Sequence, residues 1–358
     1  MADAMSENSW SDSLQPLEFE KSVKDVADSS CLKAVPSKFN FTNESSAFTA
    51  DALPVVDFSA LSSGDPHQRS KAIDHLATTC QEWGFFILVN HGIPESLMNA
   101  TLTAVKEFFY LPDSVKKQFE AKSVLDPIQC GNLKVTTASN QSFTLWRDYL
   151  KLCVHPQFHC PHQPYLLREA VMDYSERIRK LCRKLMEAIC DAVELDQQYM
   201  DQVLEMDSTS QIFVGNYYPP CPQPDQAIGI PPHTDTGLFT FLINNGVVGL
   251  QIQHDGKWFD VHYPPNSILV NVDDHLEIFT NGRCKSLNHR AVVNKERERV
   301  SVAILNGPSF EAVVGPAAPL VEKDGRAMYN SMKYKDFLEL KLTKSRLGDK
   351  SFLEKQRT

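Results

Sequence analysis

At 358 residues and 42% hydrophobic side chains, the chain can bury a large core, as one big domain or a closely joined pair. Its net charge of −9, with no basic run, argues against nucleic acid as a partner. No apolar stretch approaches the roughly 20 residues that span a bilayer, so no membrane segment is expected.

The first fifty residues are rich in Ser, Lys and Asp and show little periodicity, which predicts a loose extension with one short helix around 17–28. Their start has no apolar h-region, and its acids count against a transit peptide, so a cytoplasmic protein is expected. Nine cysteines without CxxC pairs read as reduced, mainly structural thiols, with Cys130 or Cys284 the candidate for an exposed reactive one. A strand is predicted at 54–57 and an amphipathic helix at 67–82, closed by Trp83-Gly84. A buried strand at 85–89 follows, then the turn Asn90-His91-Gly92 and a helix over 94–109 with Pro94 near its first turn. Residues 123–143 are polar and irregular, as in a lid or binding loop.

After a strand at 146–154, apolar residues at helical spacing predict one long scaffold helix over 165–195. Short β segments then dominate: 211–218, 239–243, 250–254, 257–261, 267–272, 291–293 and 300–305, with Asp255-Gly256 as a hairpin turn. Many short strands at even spacing suggest a sandwich or small barrel. A helical tail from 332 to about 347 ends at Gly348. The expected division is an extension (1–50), an N-terminal α/β region (51–165), a scaffold helix region (166–206), a β core (207–310) and a helical tail (311–358).

The chemistry concentrates after Gln211. In extended chain, residues two apart share a side, so His233 and Asp235 can grip one metal ion together, and Pro231-Pro232 forces extension just before them. With a second histidine the set becomes two His and one carboxylate, which leaves coordination positions open for non-haem Fe(II) chemistry. His275/Glu277 has the same spacing, but acids at a helix N-cap make it read as a capped helical turn. His289 opens an apolar β segment and could be the third ligand; taken alone it reads more readily as a hydrogen-bonded strand-edge histidine. Arg299 and Ser301 flank Val300 and face one way, and a guanidinium and hydroxyl turned together into a core call for a carboxylate. Arg297 belongs to a solvated charge run.

The joint pattern of Asn216-Tyr217-Tyr218-Pro219-Pro220-Cys221-Pro222, Pro232-His233-Thr234-Asp235, Asn281-Gly282-Arg283-Cys284-Lys285-Ser286 leading to His289, and Arg299-Val300-Ser301 resembles the plant 2-oxoglutarate/Fe(II)-dependent dioxygenases. Trp83-Gly84-Phe85-Phe86 through Gly92 matches the N-terminal region of that family, and the likeness runs from about Pro54 to the last helix. It implies an α+β fold with a double-stranded β-helix (jelly-roll) core flanked by helices. It makes His233, Asp235 and His289 the iron ligands. Arg299 and Ser301 would take the distal carboxylate of 2-oxoglutarate, with Tyr218 and Asn216 also touching that co-substrate. His91 lies in a family motif, but its turn context makes it structural. Asp273 departs from the family wording, which has Gly there.

The activity implied is hydroxylation or oxidative dealkylation of a medium-sized alkaloid, flavonoid or terpenoid by a monomeric enzyme using Fe(II), 2-oxoglutarate and O2, with ascorbate as reductant. Rival readings are an iron oxidase of the same fold without 2-oxoglutarate, a zinc hydrolase on the same ligands, and a non-enzymatic jelly-roll binding protein. Thr236, Phe213, Phe310, Cys130 and Phe143 are the candidate substrate-pocket residues.

Overall fold

Two β-sheets face each other across a cavity, and helices cover the outer side of the larger sheet. The computed structural model describes residues 22–29, 32–41, 48–49, 53–123, 125–344, 347 and 352–358. The large sheet runs, in spatial order, Val55–Asp57, Phe85–Val89, Ile268–Val272, Phe239–Asn244, Arg299–Gly307, Ser210–Tyr218, Asp148–His155 and Ile128–Gly131. The smaller runs Phe48–Thr49, Lys257–Asp260, Leu250–His254, His289–Ala291 and Ile230–His233. The pairing in the core is antiparallel, and the non-consecutive strand order is that of a jelly roll.

The period of two decides what each large-sheet strand shows to either side. From Ser210–Tyr218, Ile212, Val214, Asn216 and Tyr218 line the cavity, while Phe213 and Tyr217 enter the helix-side core. Arg299, Ser301, Ala303 and Leu305 do the same on the next strand, with Val300, Val302 and Ile304 on the far side. The helix Leu167–Ala192 buries Ala170, Ile178, Leu181, Leu185 and Ile189 of the spacing that predicted it, with Val171 and Tyr174 beside them, while Leu166 and Met172, counted in that spacing, are exposed. Each such side chain, fully buried, contributes about 1.5–3 kcal/mol. Gly215 lets Glu95–Phe109 approach closely, because a Cβ there would stand 2.7 Å from Cγ1 of Val105. Gly84, at φ +59°, ends the Pro66–Glu82 helix left-handed against the Lys285 carbonyl.

Several expectations are corrected. The stretch 123–143 carries the edge strand Ile128–Gly131 and the hairpin Lys134–Thr136/Ser142–Thr144. These strands are too short for a periodicity to emerge. The described parts of 1–50 are docked, not loose. Val23 and Phe39 are fully buried beside Trp146 and Tyr218, and the buried Asp148 carboxylate accepts the Val23 and Lys24 amides, 2.8 Å each, at the start of helix Val23–Ala27. Residues 1–21 lie outside the described residues. Pro94, expected near the first turn, is the N-cap of Glu95–Phe109. The last long helix is Tyr334–Lys344, since Met332–Lys333 pairs as a strand with Val313–Val314, and Gly348 lies outside the described residues. Helices Gln197–Leu204 and Ala318–Asp324 were not anticipated. Cys130 and Cys284 are both buried, so neither is an exposed thiol; burial pushes Cys130 up to about 12.

Candidate active site

The strand Ile230–His233 delivers His233 to the cavity mouth, and its neighbour delivers His289 directly across the register. The imidazole centroids are 4.2 Å apart. Asp235 joins them: its Oδ1 lies 3.7 Å from His233 Nε2 and its Oδ2 lies 3.6 Å from His289 Nε2. One ligand atom from each of the three residues falls within 4.8 Å of the others, the single such cluster among the described residues.

The tautomers follow from the backbone. His233 Nδ1 faces the Pro231 carbonyl at 2.9 Å and His289 Nδ1 faces the Leu287 carbonyl at 3.3 Å. A carbonyl can only accept, so each Nδ1 carries a hydrogen and Nε2 is the nitrogen left to face Asp235 and a metal. Burial, with the His289 ring alongside, holds the His233 imidazole well below its ordinary range, hence neutral. For Asp235, burial alone would raise the pKa; the Asn271 amide that donates to it and the Lys341 ammonium nearby act in the opposite direction and favour the carboxylate. Two imidazole nitrogens and one carboxylate suit a divalent iron, with no further protein ligand among the described residues.

The rest of the centre is held by residues that sequence reasoning missed. Asn271 Nδ2 donates to Asp235 Oδ2 at 3.0 Å and to Asp273 Oδ1 at 2.8 Å. The signal available was a polar residue at an inward position of the otherwise apolar Ile268–Val272. Lys341, from the last long helix, donates to the Thr234 carbonyl and hydroxyl, 2.8 Å each, and to buried Asp274 at 2.6 Å. It therefore clamps the residue between two of the clustered side chains. Lys341→Met should weaken Fe(II) binding about 10–100-fold in an anaerobic titration. An unchanged affinity with intact circular dichroism would remove that role.

His275 and Glu277 lie on the helix Asp274–Phe279 and not in the cluster. His275 Nδ1 donates to the Thr236 carbonyl and Glu277 accepts from the Ser286 amide. Asp273 is the N-cap, yet its side chain accepts from Thr240 and Asn271 and caps nothing. His91 bridges the Asn266 carbonyl and the Ile93 amide, away from the cavity.

Beside the cluster, Arg299 is 2% exposed and its guanidinium donates to the Val247 carbonyl (3.2 Å) and the Ser301 hydroxyl (3.3 Å). No acid pairs with it among the described residues. Its guanidinium lies 5.1 Å from the Tyr218 ring centroid, and Asn216 Nδ2 reaches Ser301 Oγ at 3.4 Å. A buried cation with hydroxyl and amide neighbours is built for a small anion.

The cavity holding both groups measures about 1060 Å³. Thr236 and Phe310 line it. Phe213 does not, because its strand parity turns it to the helices. Cys130 lies in the helix-side core, its thiol donating to the Lys116 carbonyl, and Phe143 packs behind the wall with Leu145 and Ile228.

Residues 209–308 match the 2OG-Fe(II) oxygenase superfamily, and 53–172 match the N-terminal region of non-haem dioxygenases in morphine synthesis. The 2-oxoglutarate-dependent dioxygenase 19 of Oryza sativa subsp. japonica is 40% identical over 313 residues, 87% of this chain and 92% of that protein. The chain belongs to the 2OG-Fe(II) oxygenase superfamily. Thebaine 6-O-demethylase of Papaver somniferum is 34% identical, covering 91% of this chain and 93% of its own. The crystal structure of JOX2 in complex with 2OG, Fe and JA superposes with TM-score 0.81 at 26% identity, covering 94% and 97% of the two chains. As a 2OG-Fe(II) oxygenase the protein is an oxidoreductase that uses Fe(II) and 2-oxoglutarate, and the two-imidazole, one-carboxylate cluster and the acid-free Arg299 fit both groups. No helix among the described residues is long and apolar enough to cross a membrane.

Proposed function

We propose that His233, Asp235 and His289 hold the iron, that Arg299 and Ser301 hold the distal carboxylate of 2-oxoglutarate beside Tyr218 and Asn216, and that the enzyme hydroxylates or oxidatively dealkylates a medium-sized plant specialised metabolite. The observation that carries this reading is the buried, acid-free Arg299 opening into the same cavity as the three-residue cluster. Bound iron and 2-oxoglutarate supply oxidation of a substrate C–H by O2, coupled to release of succinate and CO2.

The chain's own contribution is placement. The Nδ1 bonds fix which nitrogen of each histidine faces the metal, and Asn271 orients the Asp235 carboxylate. Arg299 neutralises the far end of the co-substrate and so fixes its direction. Thr236 and Phe310 border the volume left for substrate. An oxidase without 2-oxoglutarate would leave Arg299 buried without an anion, which disfavours that rival. The zinc-hydrolase and binding-protein readings leave it equally unexplained.

The relatives carry names of flavonoid and alkaloid enzymes, such as flavonol synthase 1 of Crocosmia x crocosmiiflora and thebaine 6-O-demethylase, which supports a small organic substrate. The described cysteines are all unpaired, which supports a reducing, cytoplasmic setting, and we read the enzyme as a monomer with ascorbate as its reductant. The test is incubation with Fe(II), ascorbate, 2-oxoglutarate and plant extracts. One succinate per oxidised product is expected. Product without succinate would move the protein to the oxidase class.

A further inference from the structure

Resting on that proposed function, we infer that Arg147 is the anion-binding point of the substrate pocket and that the substrate is a medium-sized organic acid, an apolar body bearing a carboxylate. Arg147 leads into the strand Asp148–His155 and lines the cavity together with Tyr149 and Lys151 of that strand. It is only 6% exposed. Its Nη1 donates to Asn216 Oδ1 at 3.1 Å, and its Nε is buried with no partner. No acid pairs with it among the described residues. A guanidinium carries five N–H donors in a rigid fork, and one bond to a neutral amide leaves most of that capacity unused. Burying such a cation is unfavourable unless an anion completes it.

Arg299 cannot account for this second charge. The strand of Arg299 pairs with one edge of Ser210–Tyr218 and the strand that Arg147 leads into pairs with the other. Two strand spacings, roughly 10 Å, therefore separate their backbones. Asn216 stands between, its Oδ1 toward Arg147 and its Nδ2 toward Ser301. Two separate cations face one cavity, and one belongs to the co-substrate.

The wall agrees. Basic side chains along it outnumber acidic ones seven to three, in a chain whose net charge is −9. Leu133, Val135 and Leu145 line the same cavity and suit an apolar body. A protonated amine would meet the Arg147 charge, which no acid among the described residues compensates. The inference thus narrows the substrate from specialised metabolites in general to acids, and disfavours basic alkaloids.

The test uses the full-length enzyme loaded anaerobically with Fe(II) and 2-oxoglutarate, whose visible absorption reports co-substrate binding first and probe binding second. The probes are benzoic, phenylacetic, cinnamic, dodecanoic and abietic acids, each matched with its primary amide. At least one acid should bind about tenfold to a hundredfold more tightly than its amide. Arg147→Met should erase that preference while 2-oxoglutarate affinity stays, and Arg147→Lys should keep part of it. No acid preferred by the wild-type enzyme, which needs no variant, would overturn the inference, as would a preference that survives Arg147→Met. A parallel loss of 2-oxoglutarate affinity would also overturn it, by assigning Arg147 to the co-substrate. Failure of the wild-type enzyme to bind Fe(II) and 2-oxoglutarate at all would instead strike the oxygenase assignment, before any probe is added.

Discussion

Alanine at His233, Asp235 or His289 is expected to abolish turnover and stoichiometric Fe(II) binding together. Each side chain supplies one of three ligand atoms, and no other described His, Cys, Asp or Glu stands where it could replace one. Loss of one donor therefore cannot be repaired locally. The wild-type protein should gain about 2.7 kcal/mol of stability at metal concentrations a hundredfold above the dissociation constant. The variants should gain almost none, which a thermal melt with and without metal reads directly. The apo variants should fold: removing Asp235 leaves each imidazole its Nδ1 bond to a backbone carbonyl, and removing either imidazole leaves Asp235 with its Asn271 bond. A variant of any of the three that retains full activity would falsify the ligand set.

Arg299→Met is the second large effect, and it should separate the two halves of the site. If Arg299 gives the distal carboxylate two charge-assisted hydrogen bonds of about 1.5–3 kcal/mol each, losing both raises the 2-oxoglutarate requirement roughly 10²–10⁴-fold. Iron affinity should stay near normal, because Arg299 bonds only Val247 and Ser301. The same substitution removes a buried charge that has no acid partner among the described residues, so the apo protein should melt no lower than wild type, and Ser301→Ala is the control, with a smaller loss of one bond. An unaltered co-substrate KM in Arg299→Met would detach this arginine from 2-oxoglutarate.

Much of this was legible because the carrying signals are local. Pro231-Pro232 favours extension into His233, where the strand ends, and Asp235 lies just beyond it with Oδ1 3.7 Å from His233 Nε2. Arg299 and Ser301 share a face because one residue separates them in a strand, a relation that no tertiary context alters. The long helix was legible from its buried stripe, and the helical turn around His275 from its acids, although the Asp273 side chain does not cap it.

Phe213 shows where that reasoning stopped. The strand Ser210–Tyr218 is covered on both faces, by helices on one and by the cavity wall on the other, so hydrophobicity does not tell in from out. Counting by twos from Tyr218 would have placed Phe213 on the far side. Cys130 and Phe143 failed for a related reason: short strands gave their segment a regular order that composition concealed.

By itself the sequence determined the elements whose period or proline spacing is local, the direction of the paired side chains within each strand, and the family pattern they form. The tertiary structure alone decided that His289 stands opposite His233, since a register 56 residues apart depends on which strands pair. It alone brought Asn271 to Asp235, Lys341 to Thr234, and Arg147 into the wall beside Asn216. Those contacts join distant segments, and their partners are chosen by how the sheets close around the cavity.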